Sequence, residues 1–255
     1  MRITIIGAGV VGQATGKGFA RLGHEVTFVD LNPEVLDSLS EFRTVMQAPG
    51  LQDIYFICVP EDEVTEAIEG LIPRKIGTTL IVIRSTVPPG TTRTLGYKYS
   101  SHICHNPEFL REATAEYDFL NFDGIVLGMC CGGHEAILRS IYTPFRRPIY
   151  FTTSEVSELA KLAVNGYLAC QISYWNQLRL LADALDINSH EVGMLASSVD
   201  PRISAYGARM HGKPYSGKCL PKDLAQLQSI CSSSMNTALL RGIKSINDEY
   251  IARVG

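Results

Sequence analysis

The sequence lacks an excess of charge of either sign, because 23 Lys and Arg residues stand against 26 Asp and Glu residues. The basic residues are scattered, which argues against a nucleic-acid or anionic-membrane partner. No apolar run approaches the roughly 20 residues that cross a bilayer. A glycine-rich turn follows Ile6 too closely for a signal peptide. These absences predict a cytoplasmic protein that acts on a small-molecule substrate, with no membrane partner.

The seven cysteines form no CxxC pair, are odd in number and are irregularly spaced. This spacing favours neither a disulfide framework nor a zinc site, so we predict no bound metal and a reducing compartment. Six of the cysteines are expected to be small buried hydrophobes. Cys219 is the exception, because its neighbours predict a different role.

Short apolar runs alternate with helix-like segments over residues 1–153. Continuously apolar runs, such as residues 54–59, are typical of strands that are covered on both faces. Eight strands are expected, at Ile3–Ile6, Val26–Asp30, Thr44–Met46, Ile54–Val59, Thr79–Ile83, His102–Cys104, Gly124–Leu127 and Ile149–Thr152. The alternation predicts an α/β fold with a mostly parallel, doubly wound sheet of the Rossmann type.

A helical period of three and four residues replaces this pattern after Thr152, which predicts a smaller all-helical domain over residues 154–255. Thr152 and Glu155 have capping-box spacing, and a long helix is expected from there to about residue 185. Its predicted apolar face comprises Leu168, Ile172, Trp175, Leu178, Ala182 and Leu185. A last helix is expected with Asn236 as its N-cap. Long helices with one apolar face often need a partner, so a homodimer through this domain is predicted.

A glycine-rich turn follows the first predicted strand and opens a helix. The turn spans residues 7–12 (GAGVVG), and its candidate cofactor-binding residues are Gly7, Gly9, Val10, Val11 and Gly12. Its GxGxxG spacing lets the backbone approach a pyrophosphate, which the N–H groups of the helix start can bind. The second strand ends in Asp30, where a carboxylate can bind the ribose hydroxyls and would repel a 2′-phosphate. The turn therefore predicts NAD, rather than NADP, as the cofactor.

Two polar segments follow predicted strands, at the edge where open α/β sheets place their ligands. These are residues 85–91 (STVPPGT) and residues 106–112 (NPEFLRE). Taken alone, each is most simply a solvated turn, which in the second segment carries carboxylates. Four strand-end residues are further candidates for cofactor binding: Val59, Pro60, Ser85 and Thr86.

Lys161 and Asn165 lie four residues apart in the long predicted helix, so they share one face. Their apolar neighbours predict that this face is partly desolvated. A lone helical lysine is usually solvated. A Lys–Asn pair one turn apart can instead hold a substrate oxygen between two hydrogen-bond donors.

Residues 217–223 (GKCLPKD) place Cys219 between two lysines. Pro221 is expected at the first position of a helix, which would put the cysteine beside a helix N-terminus. The lysines and the helix end both favour thiolate over thiol. The segment therefore predicts a nucleophilic cysteine.

These motifs, together with KLAVN (residues 161–165) and DPRI (residues 200–203), occur in the order seen in the UDP-glucose and GDP-mannose dehydrogenases. The chain resembles this family from residue 1 to about residue 250. The resemblance implies NAD-dependent, four-electron oxidation of the primary alcohol of a sugar nucleotide or sugar to the acid, as in polysaccharide biosynthesis. It also implies a third, nucleotide-binding domain, which this sequence does not contain.

The resemblance further implies a covalent mechanism. Cys219 would capture the aldehyde as a thiohemiacetal, and the second oxidation would give a thioester. Glu108 would be the base for thioester hydrolysis. Lys161 and Asn165 would stabilise the oxyanion.

The remaining roles that the resemblance implies concern water, proton and substrate. Asp223 and Thr86 would handle the ordered water and the proton. Arg202 would reach the hexose across the dimer interface. Four more residues would line the substrate site: Phe109, Leu110, Glu112 and Lys222.

The sequence also departs from the family pattern. The segment between residues 39 and 54 is short, and Ala113 and Ser216 each replace a glycine. Two alternatives therefore stay open. One is a two-electron β-hydroxyacid-type dehydrogenase, whose second domain shares the Lys-x-x-x-Asn helix. The other is a non-catalytic NAD-binding subunit or scaffold that depends on a partner for the third domain.

Overall fold

The computed structural model describes residues 1–74 and 79–254 of the chain. The chain divides into two compact units, Met1–Lys161 and Leu162–Gly255. The described part of the first unit contains eight strands in one sheet, which are β1 (Arg2–Ile6), β2 (Glu25–Val29), β3 (Arg43–Val45), β4 (Ile54–Ile57), β5 (Leu80–Ile83), β6 (Ile103–His105), β7 (Ile125–Met129) and β8 (Ile149–Thr153). All eight predicted strands are confirmed, to within two residues at each end.

The strand order is β3-β2-β1-β4-β5-β6-β7-β8. The described strands pair in parallel with one exception, the antiparallel contact of β6 with β7, where His105 lies opposite Gly128. The order of the first six strands is that of a dinucleotide-binding Rossmann sheet. The predicted doubly wound sheet is therefore confirmed.

Alternate residues of the central strands enter two separate cores, one on each face of the sheet. In β4, Ile54 and Phe56 belong to the first core, whereas Tyr55 and Ile57 belong to the second. The helices of this unit are α1 (Val10–Arg21), α2 (Pro33–Asp37), α3 (Val64–Leu71), α4 (Thr91–Lys98), α5 (Ala115–Leu120) and α6 (Glu135–Tyr142). Burial on both faces explains why the strand sequences are continuously apolar.

A long helix, α7 (Ser154–Ala184), follows β8 and continues into the second unit, where its buried residues include Ala169 and Ile172. The other helices of this unit are α8 (Ser189–Val199), α9 (Ala205–Met210), α10 (Cys219–Ser229) and α11 (Ala238–Val254). The predicted helical second half is confirmed. Leu185, however, lies beyond the end of α7 and is exposed, so its predicted place on the apolar face is wrong.

The starts of three helices test the predicted caps. The Thr152–Glu155 capping box is wrong, because β8 extends through Thr153, whose hydroxyl accepts from the Val156 N–H at 3.4 Å. Pro221 is the third residue of α10 and not the first, and the N–H that it lacks is still one of those without an intrahelical acceptor. Asn236 lies one residue before the N-cap position predicted for it, because α11 begins at Ala238, and its side chain accepts from the N–H of that residue at 2.9 Å. None of the described helices has the length and apolar character of a membrane span.

Candidate active site

Two glycines fix the shape of the turn between β1 and α1, and a third leaves room above it. Gly7 has a φ of +88°, which favours glycine. A Cβ on Gly12 would lie 1.9 Å from the carbonyl oxygen of Gly7, so α1 can approach the turn only with glycine there. A Cβ on Gly9 would meet no atom within 4 Å. The space above Gly9 is therefore open to a ligand.

Asp30, directly after β2, is held at the edge of this turn. Its carboxylate accepts the Ala8 N–H at 2.8 Å and the Asn32 N–H at 2.9 Å. A cleft of about 470 Å³ opens beside Val10 at the start of α1. A helix N-terminus, an open glycine and a positioned carboxylate are the groups that bind the pyrophosphate and ribose of a dinucleotide. The residues present thus fit NAD.

Replacement of Gly9 by valine is expected to weaken NAD binding without unfolding the protein. A Cβ at this position meets no protein atom within 4 Å, and the valine side chain occupies the space that the pyrophosphate needs. We expect at least about a tenfold rise in Kd, which corresponds to about 1.4 kcal/mol, when NAD binding is measured by calorimetric titration. Gly70→Val is the matched control, because a Cβ there also meets nothing within 4 Å. Equal Kd values for the two variants would contradict this prediction.

The STVPPGT segment is held between β4 and the first turns of α7. The Ser85 hydroxyl donates to the Val59 carbonyl oxygen at 2.6 Å. The fully buried Glu158 accepts the N–H of Gly90 at 2.6 Å and that of Thr92 at 2.8 Å. Burial raises the pKa of Glu158, and these hydrogen bonds oppose the rise. Thr86, which is half-buried, is carried by a segment fixed at both ends.

The NPEFLRE segment brings Glu108 to Lys161, and both side chains are buried. Lys161 Nζ lies 3.1 Å from Glu108 Oε1 and 5.4 Å from the centre of the Phe109 ring. Glu108 Oε2 accepts the N–H of Leu110 at 2.7 Å. Lys161 is 3% exposed and Asn165, one turn further along α7, is 7% exposed. The predicted desolvated face is therefore confirmed, and its lysine has a carboxylate partner.

A small residue at position 128 allows α7 to pass close to the sheet. A Cβ on Gly128 would lie 2.7 Å from Ser157 Cβ and 2.8 Å from Ser154 Cα. Gly128 is opposite His105 in the sheet, and His105 Nδ1 lies 2.8 Å from the Ser157 hydroxyl. The first turns of α7, which lead to Lys161, thus rest directly on β6 and β7.

Two buried polar residues that were not predicted from the sequence directly precede the STVPPGT and NPEFLRE segments. Arg84 is buried and donates to the side-chain oxygen of Asn106, which also accepts from the Tyr142 hydroxyl. Asn106 in turn donates to the Val126 carbonyl oxygen at 2.8 Å. This network anchors the start of the NPEFLRE segment. A buried cation cannot be recognised from sequence when its partners are distant in the chain.

His105 is the second such residue, and it is fully buried. Its Nε2 faces the Ser85 carbonyl oxygen at 3.4 Å, which requires Nε2 to carry the proton and Nδ1 to accept from Ser157. Burial lowers the pKa of His105 to about 3; the Ser85 carbonyl opposes this shift, and the charges of Arg84 and Lys161 add to it. The imidazole is neutral at pH 7 and joins the STVPPGT segment to α7.

The free energy of unfolding is expected to fall as the pH drops from 6.5 towards 3. In this range the unfolded chain protonates His105 and the folded protein does not, so acid favours the unfolded state. Between pH 7 and pH 4 this one group accounts for about 3 kcal/mol. Urea unfolding at both pH values should show that His105→Gln reduces the pH dependence by this amount, whereas His190→Gln, at an exposed histidine, should not. The same dependence in His105→Gln and the parent would refute the assignment.

In the second unit the structure brings together Asn165, Asp223 and Lys222. The Asn165 amide donates to one oxygen of the buried Asp223, and Lys222 Nζ lies 2.6 Å from the other. Cys219 is the first residue of α10, and its side chain is exposed. The predicted location of this cysteine at a helix N-terminus is confirmed. The helix begins at Cys219 itself, two residues before the predicted start at Pro221.

Other predicted residues lie outside these groups. Arg202 is exposed and paired with Asp200 at 2.6 Å, and Glu112 is exposed on a short 3₁₀ turn. The expectation that the six other cysteines are buried holds fully only for Cys104, since Cys58, Cys170 and Cys231 are half-buried. It is wrong for Cys130 and Cys131, which are exposed where β7 ends. Apolar character alone did not reveal that the chain leaves the sheet at that point.

The strand order, the glycine turn and the acid after β2 define the first unit as an NAD-binding domain of the dehydrogenase class. Residues 1–69 and 53–146 match the NAD binding domain of the UDP-glucose/GDP-mannose dehydrogenase family, and residues 155–249 match its central domain. The chain belongs to this family. It is an NAD-dependent oxidoreductase, and NAD is its cofactor.

Individual relatives agree with this assignment. UDP-glucose 6-dehydrogenase YwqF of Bacillus subtilis is 30% identical over 298 residues, which cover 99% of this chain and 67% of that protein. The UDP-glucose dehydrogenase of Pyrobaculum islandicum superposes with a TM-score of 0.88 at 27% identity, over 99% of this chain and 68% of the other. The chain thus spans about two thirds of the length of these relatives. A 3-hydroxyisobutyrate dehydrogenase of Mycobacterium tuberculosis, at 17% identity and a TM-score of 0.79 over 98% and 94% of the two chains, shares the fold.

Proposed function

We propose that the chain oxidises the primary alcohol of a nucleotide sugar, of the UDP-glucose kind, to the carboxylic acid in two NAD-dependent steps. The observation that carries the proposal is Cys219, an exposed thiol at the start of a helix whose fifth residue is the buried Asp223. Oxidation of an alcohol to an acid passes through an aldehyde, which a thiol can retain between the two steps. A two-electron dehydrogenase needs no such thiol.

The reaction balances as one alcohol, two NAD⁺ and one water giving one carboxylate, two NADH and three protons. NAD, when bound, accepts one hydride in each oxidation. Cys219 Sγ adds to the aldehyde carbon, and oxidation of this thiohemiacetal leaves a thioester. Water then attacks the thioester carbonyl, and the sulfur leaves.

The buried polar residues supply the charge stabilisation that these steps need. Lys161 and Asn165, one turn apart on α7, donate to the oxyanion that forms when sulfur or water adds to the carbonyl carbon. Burial strengthens this interaction, because it acts in a low dielectric. The Asp223 carboxylate holds the Asn165 amide in place, which lowers the cost of ordering it during the reaction.

The remaining roles concern proton transfer and substrate binding. Glu108 takes the proton of the attacking water while its other oxygen stays bonded to the Leu110 N–H. Thr86 and Asp223 assist in this proton transfer. Substrate contacts come from the exposed side chains of Phe109, Glu112, Lys222 and Arg202 and from the half-buried Leu110.

The test is the ratio of NADH formed to substrate consumed. Purified protein is incubated with excess NAD and limiting UDP-glucose, UDP-N-acetylmannosamine or GDP-mannose, and small hydroxyacids serve as the comparison. Two NADH per nucleotide sugar, with the acid as product, supports the proposal. One NADH per hydroxyacid would instead identify a two-electron enzyme, and NAD binding without turnover of any substrate would identify a non-catalytic subunit.

The proposed enzyme is a homodimer that forms through α7. Tyr167, Tyr174 and Leu181 recur every seven residues on this helix and are 55–60% exposed. Exposed apolar residues at heptad spacing form the seam of paired helices. Sedimentation should show a dimer that Tyr174→Glu dissociates, whereas Tyr97→Glu, at a tyrosine that is 79% exposed on α4, should leave it intact. A monomeric parent protein would contradict the dimer.

A further inference from the structure

Two histidines and two cysteines meet at a corner of the first unit that the proposed reaction does not use. They are His102, Cys130, Cys131 and His134, and one ligand atom from each lies within 4.8 Å of every other. His102 precedes β6, and Cys130 follows β7. Cys131 directly precedes a short 3₁₀ turn, Gly132–His134, and His134 is the last residue of that turn. None of the four belongs to the motifs that identify the family.

The antiparallel pairing of β6 with β7 creates this cluster. With His105 opposite Gly128, each step back along β6 is a step forward along β7, which brings His102 opposite Cys131. Had β7 run parallel to β6, the start of β6 would lie beside the start of β7. The cluster therefore lies at the amino end of β6. The glycine turn lies elsewhere, because it follows the carboxyl end of β1, a strand that runs in the same direction as β6.

The distances match those of a tetrahedral metal site. Cys130 Sγ and Cys131 Sγ are 3.7 Å apart, and Cys131 Sγ is 3.8 Å from His102 Nδ1 and 3.4 Å from His134 Nδ1. Ligands at about 2.3 Å (sulfur) and about 2.05 Å (nitrogen) from a tetrahedral zinc are separated by about 3.8 Å for S···S and about 3.6 Å for S···N. The three distances from Cys131 Sγ thus lie within about 0.2 Å of the tetrahedral values, and every pair of ligand atoms lies within 4.8 Å.

We propose that His102, Cys130, Cys131 and His134 bind one Zn²⁺ in a closed, four-coordinate site. Two thiolates and two imidazoles in tetrahedral arrangement select zinc over the harder cations, which prefer oxygen ligands. Four protein ligands leave no position for substrate, so the ion is structural. It joins the start of β6 to the turn after β7.

The adjacent Cys104 provides the main competing chemistry. Its thiol is buried 3.4 Å from Cys130 Sγ, and the two could form a disulfide that removes one zinc ligand. The two explanations predict different results for Cys104→Ala. If the four side chains bind zinc, Cys104→Ala still binds it, because Cys104 is not a ligand. If Cys130 instead forms a disulfide with Cys104, this variant can no longer form that disulfide.

The experiment begins with the whole protein, purified under reducing conditions. Metal analysis by mass spectrometry should find one zinc per chain. After zinc is removed with a chelator, added Co²⁺ should give the thiolate-to-cobalt charge-transfer absorption and the visible d–d bands of a tetrahedral site. Reduced protein that binds neither Zn²⁺ nor Co²⁺ would overturn the proposal.

Variants then test the ligand set. Cys131→Ser should weaken zinc binding by at least about 100-fold, measured in competition with a chelator. Loss of a residue that only hydrogen-bonds to a metal ligand lowers metal affinity by about 10- to 100-fold, and loss of the ligand itself should lower it further. His134→Cys exchanges one metal ligand for another, so it should keep the metal and intensify the charge-transfer band. Because this variant is expected to gain a signal, its result cannot be explained by destabilisation of the fold. Cys231→Ser and His190→Asn are the controls and should bind zinc as the parent does. Unchanged affinity in Cys131→Ser, or loss of zinc in Cys104→Ala, would refute this ligand set.

Discussion

Cys219→Ser is expected to lower the rate of acid formation by at least about 10³-fold, because the hydroxyl is a much weaker nucleophile than the thiol that it replaces. The first oxidation does not need the thiol, so the ratio of NADH to substrate should fall from two towards one as aldehyde is released. Product analysis alongside NADH absorbance measures both quantities. Since Cys219 is exposed, the substitution should leave the melting temperature unchanged.

The control for this variant is Cys231→Ser. Cys231 is half-buried, and its thiol lies 3.2 Å from the Leu227 carbonyl oxygen, where a serine hydroxyl can also donate. It lies in the same unit, outside the groups assigned to the reaction. Acid formation at the parent rate in Cys219→Ser would rule out the covalent mechanism, and an equal loss in Cys231→Ser would indicate a general effect on folding.

Lys161→Met is expected to lower the free energy of unfolding by about 3–5 kcal/mol and to abolish activity. The substitution leaves the Glu108 carboxylate buried without its cation, and an uncompensated buried charge is strongly unfavourable. The double variant Lys161→Met/Glu108→Gln removes both charges. It should recover most of the lost stability and remain inactive, which separates the catalytic role of the lysine from its structural one.

An exposed ion pair provides the comparison. Lys244 Nζ lies 2.6 Å from Asp248, closer than Lys161 to Glu108, but both partners are more than half exposed. Lys244→Met should therefore change stability by less than about 1 kcal/mol. Urea unfolding of the three variants measures these differences. Similar losses for Lys161→Met and Lys244→Met would show that burial does not control the strength of the pair.

The sequence was sufficient for the elements whose burial follows a regular period. The apolar strands, the glycine turn and the Lys161–Asn165 face are all found as predicted, because local spacing determines which side chains leave water. The direction of β7 was not predictable. An apolar run has the same pattern in a parallel and an antiparallel strand, so neither the pairing with β6 nor the approach of His102 to Cys131 could be inferred.

Buried polar partners were missed for a related reason. Glu158 and the STVPPGT segment are more than 60 residues apart, and His105 meets Ser157 across 52 residues. Such contacts depend on the packing of α7 against the sheet, which no local pattern encodes. The helix that starts at Ser154 begins one residue later than predicted, because β8 continues through Thr153. The helix that starts at Cys219 begins two residues earlier than predicted, because Pro221 is tolerated anywhere in a first turn and does not mark the first residue.

The proposed chemistry depends on the absence of a side chain at Gly128. A single methyl group there would overlap the first turn of α7 and push the helix outward. The ammonium group of Lys161 lies one to two turns along the same helix, so it would be displaced from the carboxylate of Glu108. The position of the Lys161 ammonium group thus depends on a glycine some 30 residues earlier in the chain, which carries no functional group.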